Sequence, residues 1–395
     1  MKLHTVAAAV LALASLTAAS LPAHAQTAAP AAAAAAAVDH KAVAAHYAAL
    51  VHANYADTLA AAKDLQAAIA EFTKAPSADG LTKARKAWLH AREFYGQTEA
   101  FRFYGGPIDD DKGPEGQINA WPLDEAYVDY VTGKPGAGMV NNAKFKITKA
   151  ALAKANERGG EENISAGWHA IEFLLWGQDQ SETGPGNRSF EDYVVGKGQN
   201  AERRGQYLTV ATELLIDDLS ALVKAWEPNA KNYRAKFEKG GKESVRKIIV
   251  GLGSLSRGEL SGERMEVALN SQDQEDEHSC FSDNTHREVV SNAKGIQNVW
   301  TGEYTRRDGS VLKGPGVRDL VAAKNPALAE KTTAQIADSV KGAEAIPAPF
   351  DRAIVKGSAG RPAIEKTIAS LVSQSKLLVE SASAVGIAKL TLVEP

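Results

Sequence analysis

The sequence contains one cysteine, Cys280, in 395 residues. A single thiol excludes an intramolecular disulfide framework, and it excludes a zinc or iron–sulfur site built from several cysteines. Aromatic residues are also scarce, at 7% of the chain, whereas alanine is abundant and β-branched runs are few. Because alanine has the highest helix propensity, this composition predicts an all-α protein.

A charge excess of either sign is missing as well. Lysine and arginine number 45 and aspartate and glutamate 48, which gives a formal net charge of -3. Nucleic-acid-binding proteins usually carry a basic excess, so we expect no nucleic-acid partner. After the N-terminal region no apolar run approaches about 18 residues, so we expect no transmembrane span.

The N-terminal region has the pattern of a bacterial secretory signal. Lys2 supplies a positive charge, an apolar stretch runs from Val6 to Leu16, and a small-residue segment ends at Ala25. This pattern predicts a signal peptide over residues 1–25, and we expect the alanine-rich residues 26–39 to form a disordered leader. The mature protein is therefore expected in the periplasm, with release from the cell as the less favoured alternative.

Helical periodicity continues through both halves of the remaining chain, and no segment shows a convincing alternating strand pattern. Each half begins with two long helical patterns and continues with an acidic-aromatic segment, at residues 121–127 in the first half and 300–304 in the second. This weak correspondence predicts two helical-bundle domains that arose by internal duplication. We place the N-terminal domain at residues 40–199 and the C-terminal domain at residues 200–395.

The most distinctive motif lies between Gly167 and Gly177, where His169 and Glu172 are the only strongly polar residues. Residues three apart share one face of a helix, and an imidazole nitrogen and a carboxylate oxygen at this spacing can bind one metal ion. A lone carboxylate in apolar surroundings is costly unless it is paired or bound to a metal. The motif therefore predicts either a metal site or a histidine–carboxylate hydrogen bond that only fixes packing.

This motif supplies at most two ligands, because the patterns His-Glu-x-x-His and His-x-x-Glu-His are absent. We expect Glu99 and Asp124 to complete the metal site, with the charge of Arg102 beside it. The other residues expected around the site are Trp121, Glu125 and Trp168.

A second cluster of candidate ligands lies at residues 273–286. His278, Cys280, Asp283 and His286 belong to residue types that bind metals, and a run of acidic residues precedes them. The alternative is an acidic linker in which Cys280 is a small buried apolar residue. The sequence has no nucleophile elbow, phosphate-binding loop or dinucleotide fingerprint.

Taken together, these motifs resemble the imelysin-like family, also called insulin-cleaving metallopeptidase-like. Gly167-x-His169-x-x-Glu172 matches the family signature, and residues 97–102 and 119–125 are similar to family segments. Residues 258–265 and 278–286 resemble the iron-regulated protein A branch. The resemblance implies a secreted or periplasmic helical protein of two domains, with a site between them near the signature helix and a link to iron uptake. The family name implies a metallopeptidase.

Our leading hypothesis is a periplasmic protein that binds iron, as Fe²⁺ or Fe³⁺, for acquisition or handoff. Oxygen ligands with one imidazole suit iron or manganese better than copper, and zinc is a further candidate. The expected partners are the metal ion and an iron-uptake transporter or outer-membrane component. Two alternatives stay open: a metal-dependent peptidase that uses His169 and Glu172, and a module that binds a non-metal ligand in the cleft between the domains.

Overall fold

Helices account for most of the structure, as the composition predicts. The computed structural model describes residues 38–181 and 183–393, so the predicted signal peptide and residues 26–37 of the predicted leader lie outside the described part. The α-helices of the described residues are α1 (His40–Lys74), α2 (Ala78–Thr98), α3 (Glu115–Ile118), α4 (Glu125–Val128), α5 (Gly138–Asn141), α6 (Lys149–Ala155), α7 (Gly167–Trp176), α8 (Ala201–Ala225), α9 (Tyr233–Lys239), α10 (Lys242–Ser254), α11 (Val267–Ser271), α12 (Thr285–Thr301), α13 (Val317–Ala322), α14 (Pro326–Glu344), α15 (Phe350–Ile354) and α16 (Arg361–Ala384).

Other regular elements connect these helices. A π-helix, Leu255–Glu266, joins α10 to α11. Two strands, β1 (Glu303–Thr305) and β2 (Val311–Lys313), pair antiparallel with Tyr304 opposite Leu312. The sequence pattern did not predict this hairpin, because strands of three residues are too short to show an alternation. Single 3₁₀ turns occupy Glu99–Phe101, Phe190–Tyr193 and Gln274–Asp276.

Helix α1 is the longest of the described helices, with 35 residues. Asp39 caps its N-terminus, because the Asp39 carboxylate accepts a hydrogen bond of 2.8 Å from the Ala42 N–H. The buried side of α1 includes Val43, Tyr47 and Leu50, which recur at helical spacing. Helix α1 packs against α2, α8, α9 and α10.

Helix α12 approaches α2 closely where small residues lie at the contact. A Cβ on Gly295 would lie 2.3 Å from the carbonyl oxygen of Gln97, and a Cβ on Gly96 would lie 2.6 Å from the Ser291 Cβ. The absence of these two side chains allows the backbones to come this close. The contact joins a helix from the first half of the chain to one from the second.

The all-α class is confirmed, while the division at residue 200 stays a prediction. From Val38 onward the chain forms one compact unit. Within this unit α1 packs on helices from both halves, and the packing does not establish a duplication. None of the helices in the described ranges combines the length and the hydropathy needed to cross a bilayer.

The contact between α2 and α12 makes a prediction about stability. Gly295→Ala should lower the free energy of unfolding by about 1–3 kcal/mol, because the new methyl group would overlap a backbone carbonyl of α2. The matched control is Gly205→Ala in α8, where the nearest atom to a Cβ is a Thr73 methyl carbon at 3.7 Å. That change should raise the free energy of unfolding by about 0.5–1 kcal/mol, since alanine favours helix. Urea unfolding compares the two variants, and equal effects would contradict the close contact.

Candidate functional site

Helix α7 carries the Gly-x-His-x-x-Glu motif through the interior of the protein. Every residue from Gly167 to Trp176 is buried, as expected for a helix that is apolar on all sides. Gly167 begins the helix with a φ of 79°, and a Cβ there would lie 2.3 Å from the carbonyl oxygen of Ile118. Glycine is required at this position both for its conformation and for the close approach to α3.

His169 and Glu172 form a hydrogen-bonded pair on one face of α7. The Nδ1 atom of His169 lies 2.9 Å from Oε2 of Glu172. The other carboxylate oxygen, Oε1, accepts hydrogen bonds from the backbone N–H of Ser282 at 3.0 Å and from its hydroxyl group at 2.6 Å. Ser282 lies in the loop before α12, so the motif is completed by the second half of the chain.

The same loop brings His278 to His169. The centroids of the two imidazole rings are 4.8 Å apart, and the ring planes are tilted by 67°. The Nε2 atom of His278 lies 3.4 Å from the Asn119 amide nitrogen, and its Nδ1 atom lies 3.6 Å from Oε2 of Glu288. The Trp121 and His278 rings pack edge-to-face, with 5.3 Å between ring centroids. His278, which was predicted to belong to a separate site at residues 273–286, therefore lies beside His169.

Burial controls the charge of these groups. Burial lowers the pKa of His169 and of His278 well below the ordinary value of 6.5, and nearby arginines, Arg92 and Arg264 among them, lower it further. Both imidazoles are consequently neutral at pH 7. Burial also raises the pKa of Glu172 to about 8, although the hydrogen bonds from Ser282 oppose this rise.

A buried ion pair lies beside the histidines. The guanidinium group of Arg92 in α2 donates to Oε1 of Glu288 in α12 at 2.8 Å, and both side chains are 1% exposed. Arg92 also donates to the Asn119 side-chain oxygen at 2.6 Å, which orients the Asn119 amide toward His278. Glu288 accepts further hydrogen bonds from Asn284 and Ser279, so the pair also ties the loop that carries His278.

Glu99 lies in a second buried ion-pair network. Its Oε2 atom is 2.6 Å from Arg102 and 2.7 Å from Arg264, while Oε1 lies 3.4 Å from the Asn119 amide. Burial raises the pKa of Glu99, but the two arginines prevail and hold it at about 2. Glu99 is therefore near the histidines, as a carboxylate already paired with two cations.

The π-helix positions Arg264 in this network. Residues five apart lie next to each other in π-helical geometry. Glu259 and Arg264 have this spacing, and Oε1 of Glu259 lies 2.7 Å from an Arg264 nitrogen. Arg102 adds a contact of 3.1 Å to Glu115. The π-helix thus lines up one of the two arginines that hold Glu99.

An acidic cavity of about 640 Å³ adjoins the site. Asn119 and Trp121, which both contact His278, form part of its wall together with Arg102. The acidic residues that line it are Glu115, Glu157, Glu161, Glu259, Glu263 and Asp276. The cavity therefore carries an excess of acidic residues, next to two side chains that contact His278.

The other three residues predicted around the site, Trp168, Asp124 and Glu125, differ from one another in burial and contacts. Trp168 is fully buried beneath Arg92, whose guanidinium carbon is 5.5 Å from the Trp168 ring centroid. Asp124 is exposed and caps α4 through a hydrogen bond from the Ala126 N–H, and Glu125 contacts Gln178 at 3.4 Å. The hydrogen bonds of Asp124 within the described ranges are local to α4 and residue 162. Its role as a ligand stays a prediction.

The remaining members of the predicted second cluster follow His278 in the chain, and their role as ligands stays a prediction. Cys280 is half-buried, and burial raises the pKa of its thiol well above 9. Burial and neighbouring carboxylates raise the pKa of Asp283 to about 7, and His286 Nδ1 lies 3.1 Å from the Asp283 carbonyl oxygen. Across residues 38–181 and 183–393, no three histidine, cysteine, aspartate or glutamate side chains stand ready to share a metal ion.

Sequence reasoning missed Arg92, Glu288, Asn119 and Ser282 as parts of the site. Arg92 offered one signal, since it is a charged residue on an apolar face of α2 that also bears Trp88 and Tyr95. No spacing rule relates Arg92 to Glu288, which are 196 positions apart, or Glu172 to Ser282, which are 110 apart. These contacts depend on how the helices pack.

An all-helical bundle around a buried histidine–carboxylate cluster is the class of protein that this geometry defines. The chain belongs to the imelysin family, because residues 51–378 match the family model described as Imelysin. A curated relative, "Iron-regulated protein A" of Synechococcus elongatus, is 26% identical over 301 residues, which are 75% of this chain and 73% of the relative.

Two solved structures share the fold. A putative iron-regulated protein A precursor from Parabacteroides distasonis superposes with a TM-score of 0.69 at 18% identity, over 87% of this chain and 94% of that one. An imelysin-like protein from Psychrobacter arcticum superposes with a TM-score of 0.64 at 17% identity, over 88% of this chain and 96% of that one. At these identities the likeness supports the all-helical fold and says nothing of individual side chains.

The buried ion pair predicts a large loss of stability when one partner is removed. Arg92→Met should lower the free energy of unfolding by about 3–5 kcal/mol, because Glu288 is left buried without a cation. Arg246→Met is the matched control, since its partner Glu243 is exposed and the pair should contribute less than about 1 kcal/mol. Urea unfolding measures both, and a loss at Arg92 as small as the control would contradict the pairing.

The raised pKa of Glu172 predicts a pH dependence of the metal-free protein. The folded pKa of about 8 lies above the ordinary 4.5, so the folded state binds the proton more tightly than the unfolded chain does. The resulting stabilisation is complete below about pH 4.5 and is lost as pH rises through about 8. Between about pH 5 and 9, urea unfolding with a chelator should therefore show wild type losing stability relative to Glu172→Gln. A difference that does not change with pH would contradict the raised pKa.

Proposed function

We propose that the protein is a periplasmic metal-binding protein that takes up iron and passes it on during iron acquisition. The observation that carries this proposal is the pair of buried, neutral imidazoles of His169 and His278, 4.8 Å apart by ring centroids. Neutral imidazole is the form of histidine that binds metals. The two rings come from different halves of the chain, so the fold has to be complete before they meet.

Unsatisfied polar atoms support a ligand at this place. His169 Nε2 and His278 Nδ1 are buried without a hydrogen-bond partner among the described residues. A buried polar atom without a partner costs about 1–3 kcal/mol, so natural proteins rarely keep one without a use. On this proposal His169 and His278 supply two nitrogen ligands to a metal ion, and Glu172 and Glu99 are the nearby carboxylates.

The acidic cavity supports a cation as cargo. Carboxylates along a cleft raise the local concentration of cations and speed their arrival. The wall residues Asn119 and Trp121 contact His278, so the cavity shares part of its wall with the surroundings of that imidazole. A side chain set of imidazole and carboxylate suits iron, with zinc as the competing ion.

Iron and the periplasm enter the proposal from two further observations. The relatives in Synechococcus and Parabacteroides bear the name iron-regulated protein A, which associates those proteins with iron. The predicted signal peptide at residues 1–25 points to export. On this proposal, the partner that receives the metal is an iron-uptake transporter or an outer-membrane component.

Metal loading tests the proposal. The purified mature protein, loaded anaerobically with Fe²⁺ and in parallel with Mn²⁺ and Zn²⁺, should retain about one equivalent of iron by plasma mass spectrometry. His169→Gln and His278→Gln should each weaken the affinity by at least about tenfold in calorimetric titrations, because each removes one nitrogen ligand. His90→Gln, an exposed histidine of α2, is the control and should bind as wild type does. No bound metal in wild type, or equal affinity in His169→Gln, would overturn the proposal.

A further inference from the structure

Another cavity, of about 640 Å³, lies where helix α7 ends. Its wall is formed by three segments of the chain, within residues 130–135, 176–181 and 185–188. Trp176, the last residue of α7, lies in this wall, and none of the described wall residues belongs to the cluster around His169 and His278. A volume of several hundred cubic ångströms is typical of a small-molecule site. We call this space the Arg188 cavity, after the buried arginine in its wall.

Uncharged polar groups make up much of the wall. Side-chain amides come from Gln178, Gln180 and Asn187, and hydroxyl groups come from Thr132 and Ser181. The Thr132 N–H donates to Oε1 of Gln178 at 2.8 Å, and the Thr132 hydroxyl donates to Oε1 of Gln180 at 3.1 Å. Because these bonds use the amide oxygens, the NH₂ group of Gln180 remains a donor. The wall therefore suits a ligand that carries several hydrogen-bonding groups.

Arg188 is held firmly on one side. Its residue is 6% exposed, and its guanidinium carbon lies 5.0 Å from the Tyr130 ring centroid and 5.3 Å from the Phe173 ring centroid. The Nη1 atom donates to Asp129 at 3.0 Å and to Asp192 at 3.1 Å. Two rings and two carboxylates therefore fix the orientation of the guanidinium group before any ligand arrives.

The opposite edge of this guanidinium group has no partner. The Nε atom of Arg188 is buried without a hydrogen bond in the described part of the chain. Within residues 38–181 and 183–393, the Nη2 atom forms no hydrogen bond either, because the side-chain bonds of Arg188 there use Nη1. A Cβ on Gly177, another wall residue, would lie 3.5 Å from Nε, so the lack of a side chain there leaves this atom uncovered by residue 177. The Nε and Nη2 donors of arginine match the two oxygens of a carboxylate.

The charges around Arg188 do not balance among the described residues. Arg204 binds Asp129 through two nitrogens, at 2.6 and 3.1 Å, so Asp129 serves two arginines. Arg85 donates to the backbone carbonyl of Arg188 at 2.9 Å. Burial lowers the pKa of Arg85, and the positive charge of Arg188 lowers it further. Three arginines thus share the two carboxylates of Asp129 and Asp192, and this group is one negative charge short of balance.

Asp179 is the carboxylate among the described wall residues, and it belongs to a different group of charges. It accepts a hydrogen bond of 2.9 Å from the Ser181 N–H. Burial and the charge of Asp351 raise the pKa of Asp179, while the Ser181 bond and the charge of Arg352 lower it. A ligand with a second carboxylate would meet repulsion from Asp179, so the cavity favours a single negative charge.

We propose that the Arg188 cavity binds a small polar monocarboxylate. The ligand carboxylate lies against Nε and Nη2 of Arg188, and its other polar groups bond to the amides of Gln180 and Asn187. Its negative charge completes the balance of the three arginines. This site goes beyond the proposed function, because it requires no metal and shares no residue with the histidine cluster.

Three matched six-carbon compounds test the proposal on the full mature protein, freed of metal by a chelator. Gluconate should bind saturably in calorimetric titrations, with a dissociation constant below about 1 mM. Gluconamide keeps the hydroxyl groups but lacks the charge, so it should bind at least about tenfold more weakly. Hexanoate keeps the charge but lacks the hydroxyl groups, so it should also bind more weakly than gluconate. No gluconate binding, or affinity for either analogue equal to that for gluconate, would overturn the proposal.

NMR of the arginine Nε–H groups tests the predicted contact at its atom. The Arg188 signal, identified by its absence from Arg188→Lys, should shift when gluconate is added. Arg188→Lys keeps a positive charge for Asp129 and Asp192 but loses the second pair of donors, so its gluconate affinity should fall at least about tenfold. Arg246→Lys, at an exposed ion pair, is the matched control and should bind as wild type does. An unmoved Arg188 signal in gluconate-bound protein would overturn the proposal.

A blocking variant locates the ligand without disturbing the ion pairs. Asn187 is an exposed residue of the wall, so Asn187→Trp should place an indole ring in the cavity and abolish gluconate binding. Circular dichroism checks that Asn187→Trp and Arg188→Lys are folded before titration. If Arg188→Lys does not fold, Asn187→Trp and the Arg188 signal of wild type still decide the question. Wild-type affinity in folded Asn187→Trp would place gluconate elsewhere and overturn the proposal.

Discussion

The buried ion pair of Arg92 and Glu288 is the interaction on which the site depends. It joins α2 to α12, in the region where two glycines let these helices approach. Arg92 fixes Asn119, while Glu288 fixes the loop that presents His278. Such a pair is stable only when its remaining hydrogen-bonding atoms are satisfied, because desolvation of two charges is costly. The hydrogen bonds that satisfy it also determine the positions of the groups around the histidines.

Two buried carboxylates near the histidines behave in opposite ways, and the difference explains the character of the site. Arg102 and Arg264 flank Glu99 and hold its pKa at about 2. In the described part of the chain no lysine or arginine forms an ion pair with Glu172, whose partners are Ser282 and His169, and burial raises its pKa to about 8. The glutamate at position 99 therefore stays an anion, whereas the glutamate at position 172 can gain or lose a proton near neutral pH. The two neutral imidazoles thus lie beside a group that can hold or release a proton.

Sequence patterns predicted the part of the site that is local in the chain. His169 and Glu172 stood out because they are polar residues in an apolar helix, and helical spacing correctly placed them together. Their partners could not be found in this way. Ser282 and His278 approach α7 from more than a hundred residues away, in the loop before α12. Residue type alone had grouped His278 with Cys280, Asp283 and His286, and it does not indicate which residue of such a segment contacts His169.

The sequence by itself determined the all-α class, the buried signature helix and the membership of its histidine and glutamate in one cluster. These follow from helix propensity and from a period of 3.6 residues, which act over a few turns. The tertiary structure alone decided the charge states and the hydrogen-bond partners of the two histidines. Charge states depend on burial and on neighbours within a few ångströms, and the partners depend on which side chains the packing brings to each ring. Both conditions arise only when distant helices pack together.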